Sequence, residues 1–223
     1  MNRPILSTLV LFALAVPAVA GEFSDAERRF AMSAPDGWVQ EAVPDKTIGL
    51  VLASPRSATT AGNCLVGAMP NELGGQSQAE VNAFTDGVIN NEAFWKAVMA
   101  SVTILKSSTI EKWGSREQDD RKIFFAKTTS TADVGGVSVT LTQMQDLHPT
   151  PGTSYSVVCS ALAPMFEAEA KDFETIMASF RPSLGLTVSW MRTPANPMAV
   201  RSGAGRTTIN ALAKGSIRTA RRR

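Results

Sequence analysis

Four segments rich in Val, Ile, Thr and Phe follow one another closely in the second half of the chain: Val102 to Glu111, Lys122 to Thr131, Val137 to Leu147 and Ser154 to Leu162. Gly135-Gly136 separates the second from the third, and Pro149-Thr150-Pro151-Gly152 the third from the fourth. Links this short join antiparallel strands, because a parallel return needs a crossover of a dozen residues or more. In the third segment Val137, Val139 and Leu141 oppose Ser138, Thr140 and Thr142; in the fourth Tyr155, Val157, Cys159 and Ala161 oppose Ser154, Ser156 and Ser160. A period of two predicts a sheet with one buried face. Asp119-Asp120, beside Arg121-Lys122, reads as the polar tip of a hairpin between Trp113 and Ile123. A cation site there would lack the Asp-x-Asp-x-Asp-Gly loop.

Upstream, residues 27–33 are expected to form a first strand, stopped by the turn tripeptide Pro35-Asp36-Gly37, with Trp38 plugging one end of the core. Thr47 to Ala53 and Cys64 to Met69 read as two further strands, ended by Ser54-Pro55 and by Pro70. Ser77-Gln78-Ala79-Glu80 fits a capping box, and Val81, Phe84, Val88 and Ile89 make an amphipathic stripe behind it. Gly74-Gly75 before it is a flexible lead-in, since no Gly-Lys-Ser/Thr follows to make a phosphate loop. Glu92 to Ala100 continues as helix after Asn90-Asn91, and a last helix runs from Met165 to Phe180. Helices in separate blocks around hairpin-linked strands define an α+β class, an antiparallel sheet covered by helices.

The N-terminus has the three parts of a secretory signal: Arg3, the apolar run Ile5 to Val16, and Ala18-Val19-Ala20 before Gly21. Residues 1–20 are therefore expected to be removed, leaving one domain over 21–182 in the periplasm or secreted. The apolar run is too short for a membrane span. Residues 21–182 hold all 20 acidic residues against 13 basic ones, whereas 183–223 hold 8 basic residues and no acid. With Pro194, Pro197 and several glycines, that tail is expected to stay disordered. Its Arg218, Arg221, Arg222 and Arg223 would meet anionic lipid or lipopolysaccharide through salt-sensitive attraction, without specific nucleic-acid recognition. Cys64 and Cys159 are the two cysteines. In an oxidising compartment an even count favours a disulfide, with Cα atoms about 4.4–6.8 Å apart. The alternative is two separate buried thiols.

Arg29-Phe30-Ala31-Met32-Ser33-Ala34-Pro35-Asp36-Gly37-Trp38 resembles the opening strand and Pro-x-Gly-Trp turn of the PsbP-like family. Tyr155-Ser156-Val157-Val158-Cys159, and the helix ending Ile176-Met177-Ala178-Ser179-Phe180, are similar to that family's last strand and helix. The likeness spans 27–182 in element order. It implies a three-layer α/β/α sandwich and non-catalytic work on partners, and it transfers no catalytic residues.

The chemistry-bearing residues are few. His148 is the one histidine, two residues after Asp146, and is expected as an exposed turn residue rather than a catalytic or metal-binding one. There is no Cys-x-x-Cys motif. No catalytic, metal or cofactor site is expected. Phe94, Trp95 and Met99 form either a peptide-binding patch or part of the core. The reading that follows is a non-catalytic periplasmic binding or accessory protein engaging a protein or peptide. Its rivals are a periplasmic hydrolase with an unrecognised site and an anionic-surface binder acting through the tail.

Overall fold

A computed structural model of the protein describes residues 21–43, 47–102, 104–134 and 136–183. The expected signal peptide, and the tail beyond Ser183 with Arg218, Arg221, Arg222 and Arg223, lie outside them.

The first half contains β1 (Gly21–Asp25), β2 (Phe30–Ala34), β3 (Val39–Gln40), β4 (Ile48–Ala53), the short α1 (Ser57–Thr60) and β5 (Asn63–Pro70). Two helices follow, α2 (Gln78–Ile89) and α3 (Glu92–Ala100). Then come β6 (Leu105–Gln118), β7 (Arg121–Val134), β8 (Val137–Thr150) and β9 (Thr153–Leu162). A 3-10 helix (Ala163–Ala168), α4 (Ala170–Ser179) and β10 (Arg181–Pro182) close the domain. All pairings are antiparallel. The main sheet runs β3-β4-β5-β9-β8-β7-β6, and β1-β2-β10 form a second, small sheet. The expected α+β architecture is present.

Local chemistry explains the boundaries. Ser77 accepts from the Glu80 amide while the Glu80 carboxylate accepts from the Ser77 amide at 2.7 Å, completing the capping box of α2. Asn91 caps α3 by accepting from the Phe94 amide at 2.8 Å. The β6–β7 hairpin turns at Asp119-Asp120, where Asp119 adopts φ 57°. Asp tolerates that left-handed backbone better than most residues.

The expected single strand over 27–33 is instead a hairpin. β1 pairs with β2 from Gly21↔Ala34 to Asp25↔Phe30. Asp25 draws Glu27 to Arg29 into the turn: its carboxylate accepts from the Arg28 amide and guanidinium, each at 2.8 Å. The predicted stripe on α2 also needs correction. Val81 and Thr85 are buried, but Phe84 is 57% and Val88 49% exposed. Thr85 can face inward because its hydroxyl donates to the Val81 carbonyl at 2.7 Å, which moves the buried ridge one position round the helix.

The sheet is covered on both faces, not one. Ser156 and Ser160 on β9 are as buried as Val157 and Cys159. One face carries the larger core, joining Leu50, Leu52, Val66 and Val157 to Phe173, Ile176 and Phe180 from the α4 segment and to Phe30 and Met32 of β2. The other face holds Trp95 of α3 against Phe124 and Ala126. At the far end of the β7–β8 hairpin Val137 is 63% exposed, so its predicted inward alternation does not hold there.

Cys64 lies directly opposite Cys159 across β5 and β9, and the two are bonded. Their Cα atoms are 4.0 Å apart, slightly closer than expected, as suits a directly opposed antiparallel pair.

The start of α4 is clamped by an ion pair whose acid is buried and whose arginine is exposed. Glu169, 0% exposed, accepts from Ser54 Oγ at 2.8 Å, Thr60 Oγ1 at 2.7 Å and Arg56 Nη2 at 2.8 Å. Arg56 also reaches Asp172 at 2.7 Å. A Cβ on Gly62 would lie 2.8 Å from the Glu169 carboxylate, which these bonds prevent from moving aside. Gly62→Ala is therefore expected to lower stability by about 2 kcal/mol, read as a lower urea midpoint with an unchanged slope.

Candidate functional site

Strand register places the groove. The core row Leu52, Cys64, Cys159 continues across the same sheet face through Met144 and Lys127 to Lys112. The neighbouring row Leu50, Val66, Val157 continues through Asp146 and Phe125 to Gly114. One face thus changes from apolar at β4, β5 and β9 to charged and aromatic at β8, β7 and β6. The 3-10 helix and α4 form the opposite wall with Phe166, Glu167, Ala170, Glu174, Met177 and Ala178. The groove between them measures about 460 Å³, within the range of ligand-binding clefts.

Its floor is built from aromatic and Met side chains under cations. Gly114 leaves room for the Phe125 ring, which a Cβ there would meet at 3.1 Å. Lys112 Nζ and Arg116 Cζ each lie 5.8 Å from the Phe125 ring centre, and Lys127 Nζ lies 4.7 Å from that of Phe166. Arg116 holds the Asp146 carboxylate with both guanidinium nitrogens, one at 3.0 Å. Lys127 has two looser acidic neighbours, Glu111 at 3.5 Å and Glu167 at 3.7 Å.

Beneath one end of the groove sits a closed polar cluster. His148 is 1% and Asp146 1% exposed. This corrects the expected exposed histidine: β8 runs on to Thr150, with Pro149 still paired to Ser154, and the Phe180 ring covers the imidazole at 4.6 Å. Burial, and then the positive charges of Arg121, Arg116 and Arg181, push His148 down to about 3. Burial raises the Asp146 carboxyl, with Arg116 pulling the other way. His148 Nε2 is 3.9 Å from Asp146 Oδ2, beyond hydrogen-bond reach, and neither ring nitrogen has a hydrogen-bond partner among the described residues. The two residues do not form an acid–base relay in this geometry, and among the described residues no hydroxyl or thiol is hydrogen-bonded to the imidazole.

Of the residues weighed for a partner surface, Trp95 is 0% and Met99 8% exposed, and Phe94 packs at the edge of the same cluster. α3 turns Trp95 onto Phe124 and Ala126 with Phe94 partly buried beside it, and Met99 is buried as well. Asp119 and Asp120 stand at the hairpin tip, where Asp119 pairs with Arg121 at 3.1 Å. Gly74 and Gly75 lie in the turn before α2. The groove residues Lys112, Arg116, Phe125 and Lys127 were not singled out by sequence. Their signal is cross-strand register counted outward from the Asp119-Asp120 turn.

A central antiparallel sheet with helices on both faces, whose last strand leads into a helix packed on the core, defines a three-layer α/β/α sandwich. The chain has the PsbP-like fold. It is similar to the solution structure of cyanobacterial PsbP (CyanoP) from Synechocystis, at 12% identity and a TM-score of 0.52, covering 79% of this chain and 98% of that one. A Pseudomonas aeruginosa protein of unknown function aligns at 11% identity and a TM-score of 0.46, over 73% of this chain and 96% of that one. LpqN, involved in cell envelope biogenesis of Mycobacterium tuberculosis, aligns at 11% identity and a TM-score of 0.39, over 75% and 86%. No protein-family model and no curated protein matches the sequence.

Proposed function

We propose that this chain is a non-catalytic accessory protein of the bacterial periplasm that engages a protein or peptide partner in the groove between α4 and β6–β8. The observation that carries this reading is the groove itself, an open cleft with an aromatic and Met floor beneath a row of cations. Large apolar side chains under a charged rim are the composition of protein-recognition sites. The closed His148 supports the non-catalytic part, since a general base has to reach the substrate's proton. The disulfide supports an oxidising compartment, and no helix of the described residues is long and apolar enough to cross a membrane. Cleavage after residue 20 and a separate basic tail complete the proposal.

A photo-crosslinking side chain placed at Glu174 on the groove rim, in protein expressed and exported in bacteria, tests it. One discrete adduct is expected from this position, lost when Phe125→Ala is added and not formed from a control position at Val137. Equal adducts from Glu174 and Val137, or none from either, would remove the groove from the functional reading.

A further inference from the structure

Lys112 and Lys127 are directly opposed on β6 and β7, both on the groove face. Like charges opposite one another across strands destabilise a sheet. The turn at Asp119-Asp120 sets this register, which runs unbroken from Gln118↔Arg121 to Lys112↔Lys127; the irregularity between Ile110 and Lys112 lies just beyond it. Arg116 is neutralised by the buried Asp146. Lys127 has its two loose neighbours, while no carboxylate among the described residues lies within ion-pair distance of Lys112, whose ammonium rests over Phe125. The domain as a whole has an excess of acid, so this pair of cations is a local exception to its charge. A local rule broken with only loose compensation within the fold is what a binding site leaves behind.

Resting on the groove reading above, we infer that the partner is a peptide segment with apolar anchors flanking an acidic residue. Its carboxylate bridges Lys112 and Lys127, and its apolar side chains lie on the half-buried Phe125 and Met144. The carboxylate relieves the repulsion between the lysines and completes the charge of Lys112. A basic peptide would add a third positive charge at the same point, so the pair also excludes the wrong partner.

Selection of random dodecapeptides on the immobilised full-length exported protein, in parallel with a Lys112→Glu/Lys127→Glu variant, tests the assignment. The basic tail is present in both proteins, so acidic peptides attracted by the tail occur in both pools and cancel in the comparison. Peptides specific to the wild type should be enriched in Asp or Glu next to Leu, Ile, Phe or Met. Those specific to the charge-reversed protein should carry Lys or Arg instead. The best wild-type peptide should lose about tenfold in affinity on charge reversal, consistent with two modest surface pairs. Added salt should weaken it as well. Pools without a charge difference would overturn the acidic-partner assignment. Ala178→Trp, an exposed substitution that fills the groove, separates this from the underlying reading. If wild-type peptides bind that variant equally well, with its melting temperature unchanged, the groove is not the binding site.

Discussion

Replacing both cysteines, as Cys64→Ala with Cys159→Ala, is expected to lower the stability of the domain by about 4 kcal/mol, the chain-entropy value for a loop of this length. The bridge joins residues separated by 95 positions. It links the hairpin β4–β5 to the β6–β9 meander at the one pairing that unites them, β5 with β9. The unfolded chain without it regains the freedom of the whole segment that includes α2 and α3. Calorimetry should show a melting temperature lower by roughly 8–16 °C for a domain of this size. Cys64 is 1% and Cys159 0% exposed, so reductant added to the native protein should act only slowly, and at once when urea is present. A double variant as stable as the wild type would mean that the two strands pair without help from the bridge.

The same pair shows how far the sequence could be read. Two cysteines in short apolar strands behind an expected export signal are sufficient to expect a bond. The capping box at Ser77 and the hairpin tip at Asp119-Asp120 were legible for a similar reason, since each is local chemistry within four residues. What the sequence hid is non-local. Leu105 to Gln118 reads as LKSSTIEKWGSREQ, too polar to announce a fourteen-residue strand, because β6 is the sheet edge and its side chains are mostly exposed. Charges and two register shifts on β6 also protect that edge from pairing with another chain. Thr85 concealed the true buried ridge of α2 by satisfying its own hydroxyl. The groove was the least legible part. Lys112 and Lys127 are fifteen residues apart in sequence, and the register that the Asp119-Asp120 turn imposes on β6 and β7 sets them face to face. Asp146 and His148 were noticed as neighbours, but their enclosure depends on Phe180, which arrives from the end of α4.

That enclosure leads to the second large effect, the response to acid. Above pH 6.5 the His148 ring is neutral in the folded and the unfolded chain, and it adds no pH dependence. As pH falls further, the unfolded chain binds a proton at the ordinary value of 6.5, while the folded chain refuses it until about 3. Stability is therefore lost over this window at up to about 1.4 kcal/mol per pH unit, or about 3 kcal/mol by pH 4. Asp146 acts in the opposite sense. Burial raises its carboxyl, so the folded chain takes that proton more readily, and this offsets part of the loss. Subtracting the behaviour of a His148→Leu variant isolates the histidine. Leucine keeps apolar contact with Phe180 and removes two ring nitrogens that have no partner among the described residues. At pH 7 the variant should be at least as stable as the wild type, because an unpartnered buried polar group costs about 1–3 kcal/mol. Between pH 6.5 and 4 its urea midpoint should fall less steeply, and the gap between the two proteins should widen with each step. Parallel curves would mean that the folded protein accepts a proton on His148 as easily as the unfolded chain does. The imidazole would then be open to solvent and within reach of a substrate's proton.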